Sequence, residues 1–292
     1  MAKRHLILGI VATFFLIILF FIVTYSISTI AGKKAPVFSD RVALIRVEGI
    51  ILDSRETIEQ LKRYGKDNSV KAIVLRVDSP GGGVVPSQEI YEEVKKIREK
   101  GEKKVVVSMG SVAASGGYYI ACPADKIVAN PGSITGSIGV IMELANIEGL
   151  LEKIGVKSIV IKSGRHKDIG SVMREMSAEE KEILQKVLDD VHNQFVEAVA
   201  NGRGINEDEV RNIADGRIFT GRQAKEMGLV DEIGNLEDTI KLAAQISGIK
   251  GEPKVVSEDK RPGFLELFLG DILGRKTDTF KKKVSFDYLF TY

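Results

Sequence analysis

The stretch Met109-Gly110-Ser111-Val112-Ala113-Ala114-Ser115-Gly116-Gly117-Tyr118-Tyr119 decides the fold. Residues 103–108 before it are strand-like. Small residues, a hydroxyl and two glycines then lead into an apolar helical start. This order places Ser115 on a tight strand-to-helix turn, its hydroxyl exposed and backbone N–H groups beside it. A serine so placed suits a nucleophile, because the helix N-terminus stabilises the oxyanion formed on attack. The plainer alternative is a glycine-rich loop that lets a helix pack closely on a sheet.

Outward from this turn, apolar runs alternate with amphipathic stretches. Residues 42–51 and 70–77 read as buried strands, the second ending at Asp78-Ser79-Pro80-Gly81-Gly82-Gly83. Pro86 suits the first turn of a helix reaching Lys100. Residues 105–108, 126–129, 138–141 and 158–161 follow as short strands, so the fold class is α/β with a mostly parallel sheet. In such sheets sites form outside the carboxyl ends of strands, where both Gly81-Gly82-Gly83 and Ser115 fall. Further on, Ser177 with Glu180 makes a capping box, and Asn206 with Glu209 repeats the signature. Ile183, Leu184, Val187, Leu188, Val191, Phe195 and Val199 form one apolar helical stripe, suited to a core or a subunit contact.

A serine nucleophile needs a base, and the chain has three histidines. His5 lies in the N-terminal basic cluster. His192 falls in the long amphipathic helix, where a surface or satisfied histidine is the ordinary outcome. His166 lies in the polar loop Lys162-Ser163-Gly164-Arg165-His166-Lys167-Asp168-Ile169-Gly170-Ser171, with Lys167 beside it. Lysine is the other base that recurs with serine nucleophiles. Most loop lysines are merely solvated, so both candidates stay open at this point.

At the N-terminus, the stretch from Leu6 to Ile30 carries no charge. Its length exceeds the roughly 20 apolar residues a helix needs to cross the hydrocarbon core. The exit Ser28-Thr29-Ile30-Ala31-Gly32-Lys33-Lys34 lacks a small-x-small cleavage site, and no cysteine follows for a lipoprotein anchor. The expected organisation is a tail at 1–5, an uncleaved transmembrane signal anchor at 6–30, and a linker at 31–41. A catalytic domain follows at 42–250, then a linker and docking or oligomerisation segment at 251–292. Basic residues flank the anchor on both sides, so charge alone leaves its orientation balanced.

A net charge of +2 over 292 residues argues against a nucleic-acid surface. The single cysteine, Cys122, has no intrachain partner and reads as a small buried hydrophobe. From Gly251 to Gly263 the composition turns polar. The apolar patches at 264–269 and 284–292 are too short to fold alone and are expected to dock.

Ser115-Gly116-Gly117-Tyr118-Tyr119, Asp78-Ser79-Pro80-Gly81-Gly82-Gly83, Gly132-Ser133-Ile134-Thr135-Gly136-Ser137-Ile138-Gly139 and Ser163-Gly164…Lys167-Asp168 together resemble the bacterial SppA signal peptide peptidases. The likeness is to the short, single-repeat form and runs from about Val42 to about Ile246. It implies a Clp/crotonase-like spiral of βαβ units behind an N-terminal transmembrane helix. Carried over position by position, it implies Ser115 as nucleophile, Lys167 as general base and Ser137 as the residue orienting the lysine. Backbone amides of Gly82 and Gly116 would be the oxyanion donors. No cofactor and no metal are implied.

The function implied is a membrane-anchored serine endopeptidase that degrades remnant signal peptides and other apolar peptides. Membrane lipid and further copies of the chain are its expected neighbours, and the domain is expected outside the cytoplasm. Two alternatives keep the fold: a non-catalytic membrane-anchored scaffold or regulatory ring, and, with less to use, a crotonase-like acyl-CoA enzyme. A lysine base must be neutral, yet a free lysine titrates near 10.4, so holding it near 7 opposes the charged form by about 4.6 kcal/mol. Burial can do that, whereas an adjacent carboxylate opposes it. An extended segment would point Lys167 into the cleft and Asp168 away from it.

Overall fold

The computed structural model describes residues 15–22, 40–258 and 287–289. Contacts divide the chain into a unit at 1–39 and a unit at 40–292. In the first, residues 15–22 form a helix (α1) with every side chain exposed. Among the described residues no helix is long and apolar enough to cross a membrane. The rest of the expected 6–30 anchor lies outside them.

The second unit begins with β1 (Arg41–Glu48), α2 (Arg55–Lys66), β2 (Val70–Ser79), β3 (Gly81–Gly83), α3 (Val84–Lys100), β4 (Lys104–Ala114), α4 (Gly116–Ala121) and β5 (Lys126–Ala129). It continues through β6 (Ile134–Gly136), α5 (Glu148–Lys153), α6 (Ala178–Arg203), α7 (Glu207–Ile213), β7 (Ile218–Thr220) and α8 (Gly221–Glu226). Last come β8 (Glu232–Ile233), α9 (Leu236–Ile246), β9 (Lys254–Ser257) and β10 (Asp287–Leu289). This is a mixed α/β unit built on one main sheet.

The sheet runs β7-β6-β4-β2-β1-β9, with β5 also pairing β4 and β8 pairing β5. All its pairs are parallel except β6 with β7. The apolar strands are buried on both faces, as helices on both sides of a parallel sheet require. On one face Ile45, Ile73, Leu75, Val107 and Met109 meet Leu61 of α2, Ile90 and Tyr91 of α3, Tyr119 of α4 and Phe195 of α6. On the other, Val42, Leu44, Val74 and Val106 meet Ala243 and Ala244 of α9. The rings of Tyr91, Tyr119 and Phe195 stack in sequence with centroids 5.1 and 4.9 Å apart.

The register of β2 against β4 breaks where the site forms. Val77 pairs Met109, but Ser79 pairs Ala113, so Gly110, Ser111 and Val112 stand opposite Asp78 alone. A bulge of this kind re-aims a strand. Before it β4 pairs β5, and after it β4 pairs β6. Asp78 Oδ1 accepts the Val112 N–H at 3.1 Å, and Ser133 Oγ donates to Gly110 O at 2.6 Å, which pins the bulge in place.

Several expectations need correction. Residues 138–141 and 158–161 are not strands. The second run is β-branched enough to read as one, but among the described residues no neighbouring strand pairs with it. Ile159 and Ile161 are 86% and 97% exposed. Residues 254–257, within the stretch read as a linker, pair in parallel with β1. The α6 stripe is divided: Phe195 and Val199 are core, while Val187 is exposed. The capping box at Ser177 and Glu180 is formed in both directions.

Candidate active site

Ser115 ends β4 and caps the start of α4 with φ 54° and ψ −118°. Among the described residues only one other non-glycine residue has positive φ, and it is Ser137 at 50°. Conformations of this kind cost about 1–3 kcal/mol each and persist where surrounding structure over-determines them. Here the restraint is visible. Ser115 N–H donates to Gly136 O at 2.8 Å, Ser137 N–H donates to Arg217 O at 2.8 Å, and Thr135 Oγ1 donates to Ala113 O at 2.7 Å. The two strained serines are therefore stitched to each other through the β4–β6 pair.

The Ser115 hydroxyl makes no capping bond to α4. It also forms no hydrogen bond with any other described residue, although Ser115 is buried, 1% exposed, where the sequence had suggested an exposed hydroxyl. Gly116 is the first residue of α4, where backbone N–H groups lack helical partners. A Cβ on Gly117 would lie 2.8 Å from Ser79 O, so glycine is what lets this helix end approach the strand leading to β3. Gly82 sits within β3, and a Cβ there would lie 2.2 Å from Ile51 O. Ile51 N–H donates to Gly81 O at 2.9 Å, and Gly83 N–H donates to Ile51 O at 2.8 Å, fixing the glycine run as an extended edge. On its other side β10 pairs antiparallel, with Tyr288 opposite Gly82.

The structure thus brings Ser115, Gly116 and Ser137 together and sets Gly82 on the adjoining edge. It does not bring Lys167 into hydrogen-bond contact with either serine. Lys167 is exposed on a run of consecutive turns, its N–H donating to Gly164 O at 3.1 Å. Its side chain forms no hydrogen bond or ion pair with any described residue. The extended segment expected here is absent, yet Asp168 still points elsewhere. Its carboxylate accepts from Arg174 Nε at 2.9 Å and pairs with Lys162. Arg174, then Lys162, hold it well below the usual carboxylate range.

Three residues that sequence reasoning passed over belong to this region. Asp78 holds the bulge that aims Ser115. Arg174 joins the lysine loop to Glu180 of α6; a lone arginine between a polar loop and a capping-box acid was the available signal. His192, set aside as an ordinary helix histidine, lines a cleft of about 460 Å³ with Ser137, Leu188, Asp189 and Asp215. Its Nε2 is buried and has no partner among the described residues.

A strained serine between a sheet and a helix N-terminus, with a glycine edge beside it, has the parts for acyl transfer: a free hydroxyl and backbone donors near it. Comparison with known proteins agrees. Residues 97–250 match peptidase family S49, and residues 39–133 match Clp protease. A Synechocystis sp. protein named as a candidate protease is 46% identical over 79% of this chain and 84% of its own length. An Enterococcus faecium protein named as a candidate signal peptide peptidase SppA is 37% identical over 79% of this chain and 71% of its own. The chloroplastic serine protease SPPA of Arabidopsis thaliana is 34% identical over 74% of this chain and 34% of its own. The chain belongs to peptidase family S49 and is a serine protease.

Proposed function

We propose that this protein is a membrane-anchored endopeptidase that degrades remnant signal peptides and similar apolar peptides, with Ser115 as nucleophile and Lys167 as general base. The observation that carries the serine assignment is the pairing of Ser115 with Ser137 as the two strained non-glycine residues of the described chain. Ser115 Oγ attacks the peptide carbonyl while its proton passes to Lys167 Nζ. The amides of Gly116 and Gly82 stabilise the oxyanion, the lysine returns the proton to the leaving amine, and water then hydrolyses the acyl-enzyme. Ser137 orients the lysine amine. Strands, bulge and turn follow the Clp/crotonase-like arrangement in this reading.

A solvated lysine amine carries a proton at neutral pH and cannot act as a base. The exposed Lys167 therefore has to be covered in the working enzyme. The arm at 148–161, which precedes the lysine loop, exposes the apolar side chains of Leu150, Ile154, Ile159 and Ile161, a contiguous run of the kind that marks a contact surface. A homo-oligomer that packs this arm would remove water from the amine and bury those residues together. The uncharged run at 6–30 supplies the anchor, holding enzyme and apolar peptide in one thin layer and raising their effective concentration. In this reading the catalytic unit stands outside the cytoplasm.

The test is cleavage of a fluorogenic peptide and a synthetic signal peptide by the full-length protein in detergent. Wild type is expected to cleave both, and Ser115→Ala and Lys167→Met neither. Undiminished cleavage by Lys167→Met would remove the base, and an inactive wild type would favour a scaffold.

A further inference from the structure

The lysine loop carries a carboxylate directly beside its lysine, and the fold spends several groups keeping that carboxylate occupied. Arg174 Nε donates to Asp168 Oδ2 at 2.9 Å, and its Nη2 reaches Asp168 O at 3.4 Å. The far side of the same guanidinium donates to Glu180 Oε2 at 2.8 Å and to Glu175 O at 3.0 Å. Glu180 is 4% exposed and itself anchored, accepting the Ser177 N–H at 3.0 Å in the capping box of α6. Lys162 takes the remaining Asp168 oxygen. Asp168 is thus tied through Arg174 to the rigid start of a 26-residue helix.

We infer that Arg174 is a positioning residue for the Lys167 base, acting by holding the Asp168 carboxylate away from the lysine amine. The inference rests on the assignment of Lys167 as base. An anion released next to the amine would favour its protonated form and deplete the neutral form the reaction needs. Burial in an assembled site would strengthen that interaction. Glu179 of α6 is engaged by Arg165 and lies 3.6 Å from His166. Glu180 is held by Arg174, while Glu148 and Glu152 of α5 line the cavity of about 600 Å³ that Lys162, Asp168 and Arg174 share. Lys167 is not among its walls.

The test is the pH dependence of kcat/KM for a fluorogenic peptide, measured on the full-length protein. In Arg174→Gln the ascending limb should move up by about one pH unit, with about a tenfold loss at pH 7. The double variant Arg174→Gln/Asp168→Asn should return the limb to its wild-type position, because the freed carboxylate is gone. Lys162→Met, a partly exposed change that leaves Arg174 in place, should move the limb in the same direction by less. Lys162→Met reports even where Arg174→Gln does not fold. A limb that stays in place in whichever of Arg174→Gln and Lys162→Met fold, or that Asp168→Asn fails to restore, overturns the inference. Failure of the base assignment looks different: Lys167→Met would then keep wild-type activity.

Discussion

The backbone N–H of Ser115 donates to Gly136 O at 2.8 Å, so the strained nucleophile candidate hangs from the residue immediately before the equally strained Ser137. Two unfavourable conformations are held by one strand pair. This ties the geometry of the hydroxyl to β6 and, through the Ser137 N–H, to Arg217 on the approach to β7.

Replacing Ser115 by glycine should separate stability from activity. Glycine adopts positive φ without the side-chain strain, which is worth about 1–3 kcal/mol, and gives back about 0.5–1 kcal/mol in chain entropy. Ser115→Gly is expected to abolish cleavage and raise the denaturation midpoint. Thermal unfolding of this variant beside Ser115→Ala checks it, and a Ser115→Gly protein less stable than Ser115→Ala would contradict the strain.

Gly82→Ala should fail for a steric reason. The added methyl would meet the Ile51 carbonyl at 2.2 Å, and that carbonyl already accepts the Gly83 N–H. The β3 edge must shift, so activity should fall by at least tenfold and stability by about 1–3 kcal/mol, the usual cost of overpacking. Kinetics and denaturant unfolding of the same preparation give both numbers.

The edge of β3 is paired with β10 in the single chain. A peptide that reads this edge as an added strand must compete for the same backbone groups. Ending the chain before Val284 is therefore expected to lower KM for peptide substrates while kcat stays within about twofold. An unchanged KM would show that substrate does not use this edge.

Asp168 and Glu180 are both held below their ordinary values, Glu180 to about 2, with Arg174 the first cause in each case. For acids depressed on folding, the stabilisation is present above the unfolded values near 4 and is lost as pH falls through the folded ones. The loop around Lys167 should stay protected at pH 5 and open between pH 4 and pH 2. Hydrogen exchange of residues 162–177 measures this. Opening already at pH 5–6 would contradict it.

Cys122 is fully buried, and burial pushes its thiol far above the usual range. The native protein should resist a thiol reagent that reacts within minutes once the chain is denatured. Rapid modification of the native protein would place Cys122 elsewhere.

Much of the candidate site's backbone geometry was legible because it is local. Small residues and glycines after an apolar strand specify the Ser115 turn, and Ser177 with Glu180 specifies the start of α6 without reference to anything distant. What failed depends on partners. Residues 158–161 have strand chemistry, but a strand needs a neighbour, and among the described residues there is none. Lys254–Ser257 looked like linker because its pairing partner, β1, lies some two hundred residues earlier in the sequence. The bulge at Gly110 to Val112 is likewise invisible along the chain, since it exists only as a mismatch with β2. Arg174 escaped notice because its role joins two acids, one on either side of it, that sequence patterning assigns to separate elements.

The most direct measurement is the site of covalent labelling by a fluorophosphonate on the full-length protein, read by peptide mass spectrometry. An adduct on Ser115 in wild type, with labelling lost or slowed at least a hundredfold in Lys167→Met, is the expected result. An adduct on another residue, or Ser115 labelling at an undiminished rate without Lys167, would contradict the serine–lysine assignment.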